Sequence, residues 1–254
     1  MHGRGYPSRL IVETVAVVDS TNSELLRREP LLPRGSPADA VWLVALTQTA
    51  GRGRRERNWI SSADASLTAS FARETDRASN LGALSLVAGV ALAQALDEFG
   101  VPVRLKWPND LHVAGGKAGG ILCEARSRGG VTRLVIGCGL NLLVPPLAVG
   151  QPAAGLFDPA SLPDRNALVQ SIGAALLAST DRLLADGFEP FREQWSARDL
   201  LLGQPVVIHH HGSASAAVAR GIDADGALLV AYDRSPDRLE RILAEEVSVR
   251  PLSA

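Results

Sequence analysis

The stretch KWPNDLHVAGGKAGGILCE, from Lys106 to Glu124, sets a lysine between two pairs of glycines just before a buried strand. Lys106 ends the preceding strand, and the Trp-Pro pair after it fixes an extended exit from that strand. Asn109 and Asp110 then supply polar groups to a turn. Glycines inside a strand pattern mark a close approach of backbone or ligand. The pattern predicts that the Lys117 ammonium lies near the mouth of a sheet.

Each residue of this stretch also has a purely structural interpretation. Trp107 can be a core residue, Asp110 a turn cap and Lys117 a hairpin lysine. A second cluster favours a functional interpretation: QTAGRGRRERNW, Gln48–Trp59, carries four arginines and two glycines. Its glycines permit close backbone approach, and guanidinium forks suit phosphate oxygens. We call Gly51–Trp59 the arginine loop and expect it to hold an anionic ligand, with a solvated surface loop as the alternative.

The composition limits the partners of the protein. Its 254 residues carry 26 Lys and Arg against 27 Asp and Glu, a formal net charge of -1, so a generally basic surface for polyanions is excluded. With 4% aromatic residues, the stacking platform of a nucleic-acid-binding protein is not expected either. No apolar run reaches the roughly 20 residues of a membrane span. We expect no nucleic-acid partner and no membrane partner.

The N-terminus and the cysteines indicate a cytoplasmic protein. The first residues, MHGRGYPSRLIVETV, lack the apolar stretch that a secretory signal needs. Cys123 and Cys138 both lie in apolar, strand-like runs. We expect buried, reduced thiols, with a disulfide as the alternative. Neither cysteine has surroundings that stabilise a thiolate, so a nucleophilic role in acyl transfer is not expected.

The chain up to Leu202 alternates strands and helices, which predicts one α+β layer system. The helix near the N-terminus opens with a T-x-x-E capping box, Thr21 to Glu24. Leu142–Pro163 is rich in proline and glycine and is predicted to be an ordered connector. Strands are predicted at Leu10–Val18, Val41–Thr47, Ser66–Ala72, Val103–Trp107, Gly119–Ala125 and Val131–Gly137, and helices at Thr21–Glu29, Ala83–Phe99 and Arg165–Ala185.

The pattern of predicted secondary structure changes near Gly203. From there on, short strand-like runs are separated by turn signals such as DADG, Asp223–Gly226. A small all-β barrel of about 50 residues would produce this pattern. We therefore predict two domains, residues 1–202 and 203–254.

Several other functional motifs are excluded by their context. No G-x-x-x-x-G-K-[ST] occurs, and GCGLN at Gly137–Asn141 precedes a proline-rich loop rather than the helix of a dinucleotide fingerprint. Neither a nucleophile elbow nor a His-centred triad is present. His209–His211 stand on a predicted strand, where side chains alternate faces, so they cannot all converge on one metal ion.

Five motifs in this order resemble those of biotin protein ligases. They are DSTN (Asp19–Asn22), TQTAGRGRRERNW (Thr47–Trp59), KWPNDL (Lys106–Leu111), GKAGGILCE (Gly116–Glu124) and GCGLN (Gly137–Asn141). The tail, with ARGIDADGALLV (Ala219–Val230) and EEVSVR (Glu245–Arg250), resembles the SH3-like C-terminal domain of that family. The resemblance covers nearly the whole chain. It implies a catalytic α+β domain, a mixed sheet packed with helices, followed by a small SH3-like β-barrel.

The resemblance also implies a reaction in two steps, with Mg²⁺ as cofactor. Biotin and ATP give biotinyl-5′-AMP and pyrophosphate, and a lysine of the biotin carboxyl carrier protein of acetyl-CoA carboxylase or a related carboxylase then takes the biotinyl group. Some family members carry an N-terminal winged helix and act as repressors. Because this sequence begins almost at the catalytic motifs, we expect an enzyme that does not repress transcription. The oligomeric state stays open.

The resemblance assigns roles to individual residues. Lys117 and Arg54 would be catalytic, Asp110 would contact Mg²⁺, and Trp59 and Trp107 would wall the pocket. The arginine loop would be mobile when empty and close as a lid over the ligand. Biotin would be bound by Ser20, Thr21, Asn22, Gln48, Gly51, Arg52, Lys117 and Gly119, and the nucleotide by Arg52, Arg54, Arg55, Arg57, Trp59, Lys106, Asn109 and Asn141.

One departure from the family pattern and two alternatives remain. Glu56 stands where the loop of the family usually has glycine, which stiffens the loop and adds a negative charge beside the arginines. A lipoate or octanoate ligase on the same fold is one alternative, because it would share most motifs. The polar side chains of Ser20, Thr21 and Gln48 favour the ureido ring of biotin over such an apolar chain. A basic nucleic-acid-binding module is the other alternative.

Overall fold

The computed structural model of the protein describes residues 8–77, 81–145, 152–210, 213–233, 235–244 and 247–251. These residues form a seven-stranded and a five-stranded β-sheet with four α-helices. The seven-stranded sheet has the order β1-β2-β3-β7-β6-β5-β4. Only β1 and β2 pair in parallel, so the sheet is mixed. The predicted mixed α+β fold is confirmed.

The strands of this sheet and the helices have the following bounds. The strands are β1 (Leu10–Val18), β2 (Ala40–Gln48), β3 (Ser66–Thr75), β4 (Arg104–Lys106), β5 (Asp110–Val113), β6 (Gly116–Arg128) and β7 (Val131–Asn141). The helices are α1 (Thr21–Arg27), α2 (Leu84–Asp97), α3 (Arg165–Asp186) and α4 (Glu189–Ser196).

One face of the seven-stranded sheet forms the main core, and we call it the core face. Trp42, Phe71 and Ile136 are cross-strand neighbours on β2, β3 and β7, and all three are fully buried. The apolar side chains of α2 and α3 belong to the same hydrophobic cluster. Burial of apolar area drives this packing, since each large side chain removed from water stabilises the fold by about 1.5–3 kcal/mol.

The opposite face, which we call the site face, is covered only in part. At one end α1 packs Leu25 against Val41, Ala72 and Val135 in a small second cluster. Further along, register aligns a row of small and polar residues across six strands. That row consists of Ala45, Thr68, Gly139, Gly120, Asp110 and Lys106. The sheet therefore has space for a ligand on this face.

The C-terminal sheet has the order β11-β10-β9-β8-β12 and is antiparallel. Its strands are β8 (Pro205–His210), β9 (Ser213–Ile222), β10 (Leu228–Tyr232), β11 (Ser235–Ile242) and β12 (Val247–Pro251). Its apolar residues belong to the same cluster as α2 and the core face. This small C-terminal sheet agrees with the predicted SH3-like unit. The division at Gly203 stays a proposal, because the described core is continuous across it.

The structure corrects two local predictions on the site side. The N-cap of α1 is Ser20, whose Oγ accepts from the Ser23 amide at 3.4 Å, so the capping box from Thr21 to Glu24 was wrong. Thr21 lies within the helix, where its hydroxyl bonds to other elements. Asp110 does not lie in a turn but begins β5, opposite Gly120.

Other elements differ in length or were not predicted. Strand β6 extends beyond its predicted bounds at both ends, and β7 extends only at its C-terminal end. At the open end of this hairpin, the added residues include Gly116 and Gly139. Helix α4 was not predicted. Within the connector Leu142–Pro163, residues 146–151 lie outside the described part, and Ala153 forms a parallel bridge with Lys117.

Both cysteines are free, as predicted, and lie on strands β6 and β7. Cys138 is buried, whereas Cys123 is half-buried as a residue. Burial raises the pKa of Cys138 to about 12 and also raises the pKa of Cys123. At neutral pH both thiols are therefore protonated and poor nucleophiles. No helix in the described ranges is both long and apolar enough to cross a membrane.

Candidate active site

Two glycines form the floor of the site. Gly120 on β6 and Gly139 on β7 are direct cross-strand neighbours on the site face. A Cβ atom at position 139 would lie 2.3 Å from Cε2 of Trp59, and one at position 120 would lie 3.5 Å from Cζ3 of the same indole. The indole therefore packs directly on the floor, which only glycine permits at position 139.

One end of the floor carries a buried polar cluster from α1 and β2. The side-chain oxygen of Gln48 accepts hydrogen bonds from the Thr21 amide at 2.8 Å and from the Thr21 hydroxyl at 3.1 Å. Both bonds use the amide oxygen, so Nε2 of Gln48 can donate to a ligand. Ser20, beside them, is 3% exposed. These groups suit a polar ligand ring inside a mostly apolar pocket.

Asn22, in contrast, is bonded mainly to the protein. Its Nδ2 donates to the carbonyl of Leu122 at 3.0 Å and to Oε2 of Glu124 at 2.7 Å. Its Oδ1 lies 2.6 Å from Oγ of Ser70. Because both amide hydrogens are in use, Asn22 supports the cluster and can offer a ligand only its oxygen.

The other end of the floor is cationic. Nζ of Lys117 lies 2.7 Å from Oδ1 of Asp110, and both side chains are largely buried. Lys106 is the cross-strand neighbour of Asp110 on β4 and is 8% exposed. Lys106 and Lys117 therefore lie on the same face of the sheet as Asp110. Cationic side chains placed in this way suit an anionic group, such as a carboxylate or phosphate, at this end.

The backbone of Lys117 is held by the segment that follows residue 151. The amide of Lys117 donates to the Pro152 carbonyl at 2.9 Å, and its carbonyl accepts from the Ala154 amide at 2.9 Å. Nδ2 of Asn141 donates to the carbonyls of Lys117 at 3.3 Å and Ala154 at 3.2 Å. Asn141, predicted to bind the nucleotide, thus has both amide hydrogens engaged in fixing the lysine strand.

A buried histidine beside the lysine was missed by sequence analysis. His112 on β5 is the cross-strand neighbour of Lys117, and its Nε2 is buried without a hydrogen-bond partner among the described residues. Burial lowers the pKa of His112 to about 4, Asp110 opposes this shift, and Lys106 and Lys117 add to it. The imidazole is therefore neutral at neutral pH. The missed signal was the i, i+2 spacing from Asp110, which was assigned to a turn instead of a strand.

The arginine loop has a compact, hairpin-like conformation. Two hydrogen bonds join its two sides. The Gly53 amide donates to the Arg57 carbonyl at 2.7 Å, and the Trp59 amide donates to the Gly51 carbonyl at 2.9 Å. Arg55, at the tip, has a φ of 55°, in the left-handed region. The side chain of Glu56 lies outside the described part of the structure. Loop mobility in the absence of ligand stays a prediction.

The four arginines of the loop fall into two groups. Arg52 pairs with Oε2 of Glu124 at 2.8 Å, which links the loop to β6. Arg54 donates to Oδ1 of Asn109 at 3.2 Å and to the carbonyl of Ala244 in the C-terminal sheet region. Arg52, Arg55 and Arg57 are exposed, and Arg54 is half-buried. Within the described part of the chain, ion pairs and side-chain hydrogen bonds join Arg52 and Arg54, but not Arg55 and Arg57, to other elements.

Two predicted site residues face elsewhere. Trp107 is 2% exposed, and its Nε1 donates to the Gly226 carbonyl at 3.1 Å, so its indole joins the two sheets and does not wall the pocket. Gly119 is the neighbour of Leu140, and a Cβ there would lie 2.7 Å from Cδ2 of that leucine on the core face. The absence of a side chain at Gly119 therefore makes room in the core and not on the site face.

The geometry of the site suits one class of protein, an enzyme that activates a carboxylate by neutralising charge. A glycine-floored surface runs from uncharged polar groups to a lysine–aspartate pair. No activated nucleophile is present among the residues placed there, since the two thiols have raised pKa values and lie in the strands of the sheet.

Comparison with known proteins agrees with this class. The model of the biotin/lipoate A/B protein ligase family matches residues 15–141. The chain is 34% identical to the biotin–[acetyl-CoA-carboxylase] ligase of Paracoccus denitrificans, over 92% of this chain and 98% of that protein. It is 36% identical to the bifunctional ligase/repressor BirA of Escherichia coli, over 87% of this chain and 70% of that protein. The chain therefore belongs to the biotin/lipoate A/B protein ligase family.

A solved structure gives the same result. The biotin protein ligase of Aquifex aeolicus, in complex with biotin and ATP, superposes with a TM-score of 0.80. The two proteins are 27% identical, and the match covers 96% of this chain and 99% of that chain. The superposition includes both sheets, because little of either chain lies outside it.

Proposed function

We propose that this protein is a biotin protein ligase, an ATP-dependent, AMP-forming enzyme of protein biotinylation. It activates biotin as biotinyl-5′-AMP and transfers the biotinyl group to a lysine of the biotin carboxyl carrier protein of a carboxylase. The enzyme class is supported by relatives of this name and by the similar structure that holds biotin and ATP. The carboxylase in the name of the Paracoccus denitrificans relative supports the carrier protein as acceptor.

The layout of the site face carries the proposal. Biotin has a polar ureido ring at one end and a carboxylate at the other. The site face offers Gln48 and Thr21 at one end, glycines in the middle and the Lys117 ammonium at the other end. A lipoyl or octanoyl chain would offer no acceptor to Nε2 of Gln48, which costs about 1–3 kcal/mol once the ligand excludes water from this group.

In the first step, an oxygen of the biotin carboxylate attacks the α-phosphorus of ATP and pyrophosphate leaves. Two anions must approach each other, so fixed cations lower the barrier. We assign this role to Lys117, with Arg52 and Arg54 at the rim of the floor. The indole of Trp59, on the floor, excludes water from the mixed anhydride.

In the second step, the neutral amine of the carrier lysine attacks the carbonyl carbon of biotinyl-5′-AMP. The bond from this carbon to the phosphate oxygen breaks, AMP leaves, and the amine proton passes to solvent. Negative charge develops on the acyl and phosphate oxygens. The Lys117 ammonium is placed to stabilise this charge as well, because the acyl group occupies the position of the earlier carboxylate.

A magnesium ion fits this site only as a companion of the nucleotide. In the described part of the chain, no three His, Cys, Asp or Glu side chains converge so that they could hold a metal. Mg²⁺ commonly binds through one or two carboxylates together with substrate phosphates and waters. Asp110 would contribute one carboxylate, and Asn109 lies next to it. When bound, the ion would neutralise phosphate charge.

The remaining assignments extend this layout. We propose Ser20, Thr21, Gln48, Gly51 and Arg52 as the biotin side, with Asn22 and Gly119 in supporting positions. For the nucleotide side, we propose Arg54, Trp59, Lys106 and Asn109, with Arg55 and Arg57 reaching the phosphates when the loop closes. Asn141 would act by holding the strand of Lys117.

Calorimetric titration of the purified protein with biotin, lipoate and octanoate tests the proposal. We expect binding of biotin alone, and biotin-dependent release of pyrophosphate from ATP. Addition of a carrier domain should give a product heavier by one biotinyl group, and a carrier whose target lysine is replaced by arginine is the control. Binding of lipoate in preference to biotin would establish the alternative ligase instead.

We also expect no sequence-specific DNA binding, because the net charge is -1 and the basic residues of the loop are few. Mobility shifts at near-physiological salt should show no specific complex. A sequence-selective complex at nanomolar protein would contradict this expectation.

A further inference from the structure

Arg133 on β7 is a buried arginine that belongs to none of the motifs discussed above. Its side chain is 6% exposed. Residues at alternate positions of a strand share a face, so Arg133 lies on the site face with Val135, Gly137 and Gly139. It stands at the end of the strand that is farther from the glycine floor. A buried guanidinium is costly unless its donors are satisfied, so its partners reveal its role.

The partners of Arg133 are the last carbonyls of α1. Nη1 donates to the carbonyl of Leu25 at 3.0 Å, to that of Leu26 at 3.3 Å and to that of Arg28. Carbonyls in the last turn of a helix have no partner within the helix, and they form the negative end of its dipole. Arg133 therefore caps α1 from below, and the exposed Arg126 adds one bond to Leu26 at 3.2 Å.

Glu74 holds the guanidinium in this orientation. It is the direct cross-strand neighbour of Arg133 on β3. Its Oε1 accepts from Nε at 3.1 Å and from Nη2 at 2.6 Å. Since these two bonds engage one edge of the planar fork, the remaining nitrogen is directed at the helix.

The other end of α1 is attached to the same strand. A Cβ at Gly137 would lie 2.2 Å from Oδ1 of Asn22, so the first turn of the helix rests on this glycine. Helix α1 has seven residues, and so short a helix is not stable by itself in water. Its position is therefore set by contacts with the sheet. Two of these contacts are made by Arg133 and Gly137, which lie four residues apart on β7.

We propose that Arg133, oriented by Glu74, is a positioning residue for biotin binding. It fixes the C-terminal end of α1 and thereby the height and rotation of Thr21, whose amide and hydroxyl hold the side-chain oxygen of Gln48 on β2. The inference rests on the proposed function, because it assumes that the first turn of α1 contacts biotin. It adds a role for an ion pair between a buried arginine and an exposed glutamate, neither of which touches a substrate.

The test is Arg133→Gln, which keeps two amide hydrogens but loses the charge and the fork. We expect the biotin dissociation constant, measured by calorimetry, to rise about tenfold, because charge-assisted hydrogen bonds to the helix are lost. The KM for ATP at saturating biotin should stay within about twofold. Arg133→Lys, which retains the charge, should recover part of the biotin affinity.

Arg73→Gln is the matched control. Arg73 lies on β3, one residue before Glu74, and its side chain is 12% exposed. It pairs with Asp181 of α3 at 2.5 Å, on the core face. Its loss should lower the thermal midpoint as the loss of Arg133 does, but biotin affinity should be unchanged because α1 is not touched.

Three results would overturn the inference. The first is a folded Arg133→Gln variant with wild-type biotin affinity, and the second is an equal loss of affinity in Arg73→Gln. If Arg133→Gln does not fold, Glu74→Gln replaces it, since it leaves the arginine in place but weakens its hold. We expect a several-fold weaker biotin affinity in Glu74→Gln, and no change there is the third contrary result. Failure of the wild type to bind biotin would instead overturn the proposed function.

Discussion

The two faces of the seven-stranded sheet are made by the same strands but are opposite in character. On β7, one set of alternate residues is apolar and fully or nearly fully buried in the core: Leu134, Ile136, Cys138 and Leu140. The other set carries a charge, one aliphatic side chain and two glycines: Arg133, Val135, Gly137 and Gly139. The core face stabilises the fold, while the site face leaves room for a ligand.

The comparison shows why the site tolerates unfavourable features. Each glycine in a strand costs about 0.5–1 kcal/mol, and the buried lysine and histidine add desolvation cost. These groups lie on the face opposite the large apolar cluster, which offsets their cost. Changes on the site face should therefore alter binding and rate, whereas changes on the core face should alter stability.

The largest effect is expected for Lys117→Ala. Removal of one preorganised enzyme group that stabilises transition-state charge costs roughly 3–4 kcal/mol, or about 10²–10³ in rate. We expect this loss in biotin-dependent pyrophosphate release, with an unchanged circular dichroism spectrum and nearly unchanged thermal midpoint. Near-wild-type pyrophosphate release by the folded variant would show that the lysine does not neutralise the reacting anions.

Gly139→Ala should have the next largest effect. The new methyl group would lie 2.3 Å from the Trp59 indole, so the indole must leave the floor. We expect biotin affinity, measured by calorimetry, to fall about tenfold or more. This corresponds to a loss of about 1.4 kcal/mol or more in the free energy of binding. The control is Ile136→Val, on the core face of the same strand, which should cost about 0.5–1.5 kcal/mol of unfolding free energy without a change in biotin affinity. Equal affinities in the two variants would remove the distinction between the faces.

Arg54→Gly should act on the intermediate rather than on its formation. Arg54 connects the arginine loop to Asn109 and to the carbonyl of Ala244. Its loss should loosen the loop, so that biotinyl-5′-AMP still forms but leaves several-fold faster and labels lysines of bystander proteins. The half-life of bound adenylate measures this effect, and protease cleavage within the loop with and without biotin and ATP tests closure. Unchanged retention together with equal cleavage would exclude a lid.

The smallest effect is expected for Asp19→Asn, at the edge of the site face. The hydrogen bond from Arg27 lowers the pKa of Asp19 to about 2, so the carboxylate stabilises the fold above the ordinary pKa of 3.8. This stabilisation is lost as the pH falls from about 4 to about 2. Asp19→Asn should therefore reduce the pH dependence of the free energy of unfolding in this window. The reduction should be small, since the side chains of Asp19 and Arg27 are both about half exposed. A large change in stability at neutral pH would contradict this sign and size.

Much of the sheet was predictable because its strands are locally encoded. Leu10–Val18 is an uninterrupted strand pattern, and its predicted bounds agree with β1. The motifs also located Lys117 and Gln48, since their neighbours in sequence restrict the local backbone. The prediction failed at Asp110, where the local signal indicates a turn but pairing with β4 and β6 makes a strand.

Residues whose role depends on distant partners could not be recognised in this way. Trp107 has a partner 119 positions away, at Gly226, which draws it out of the pocket. His112 and Arg133 acquire their surroundings only when strands and helix assemble. Glu124 links Asn22 and Arg52, which are 102 and 72 positions away along the chain. Local patterns carry no information on such contacts, because loop lengths and packing set them.

The sequence by itself determined the chemical groups of this protein: a loop of arginines, a lysine among glycines and a polar turn before a helix. These features could be recognised because residue type and local backbone freedom are properties of short segments. Only the tertiary structure decided which face each residue occupies and which charges meet. A shift of one residue in strand register would turn Gly139 and Lys117 toward the core, because side chains alternate along a strand. Register depends on packing of the whole core face, and so the site exists only in the folded sheet.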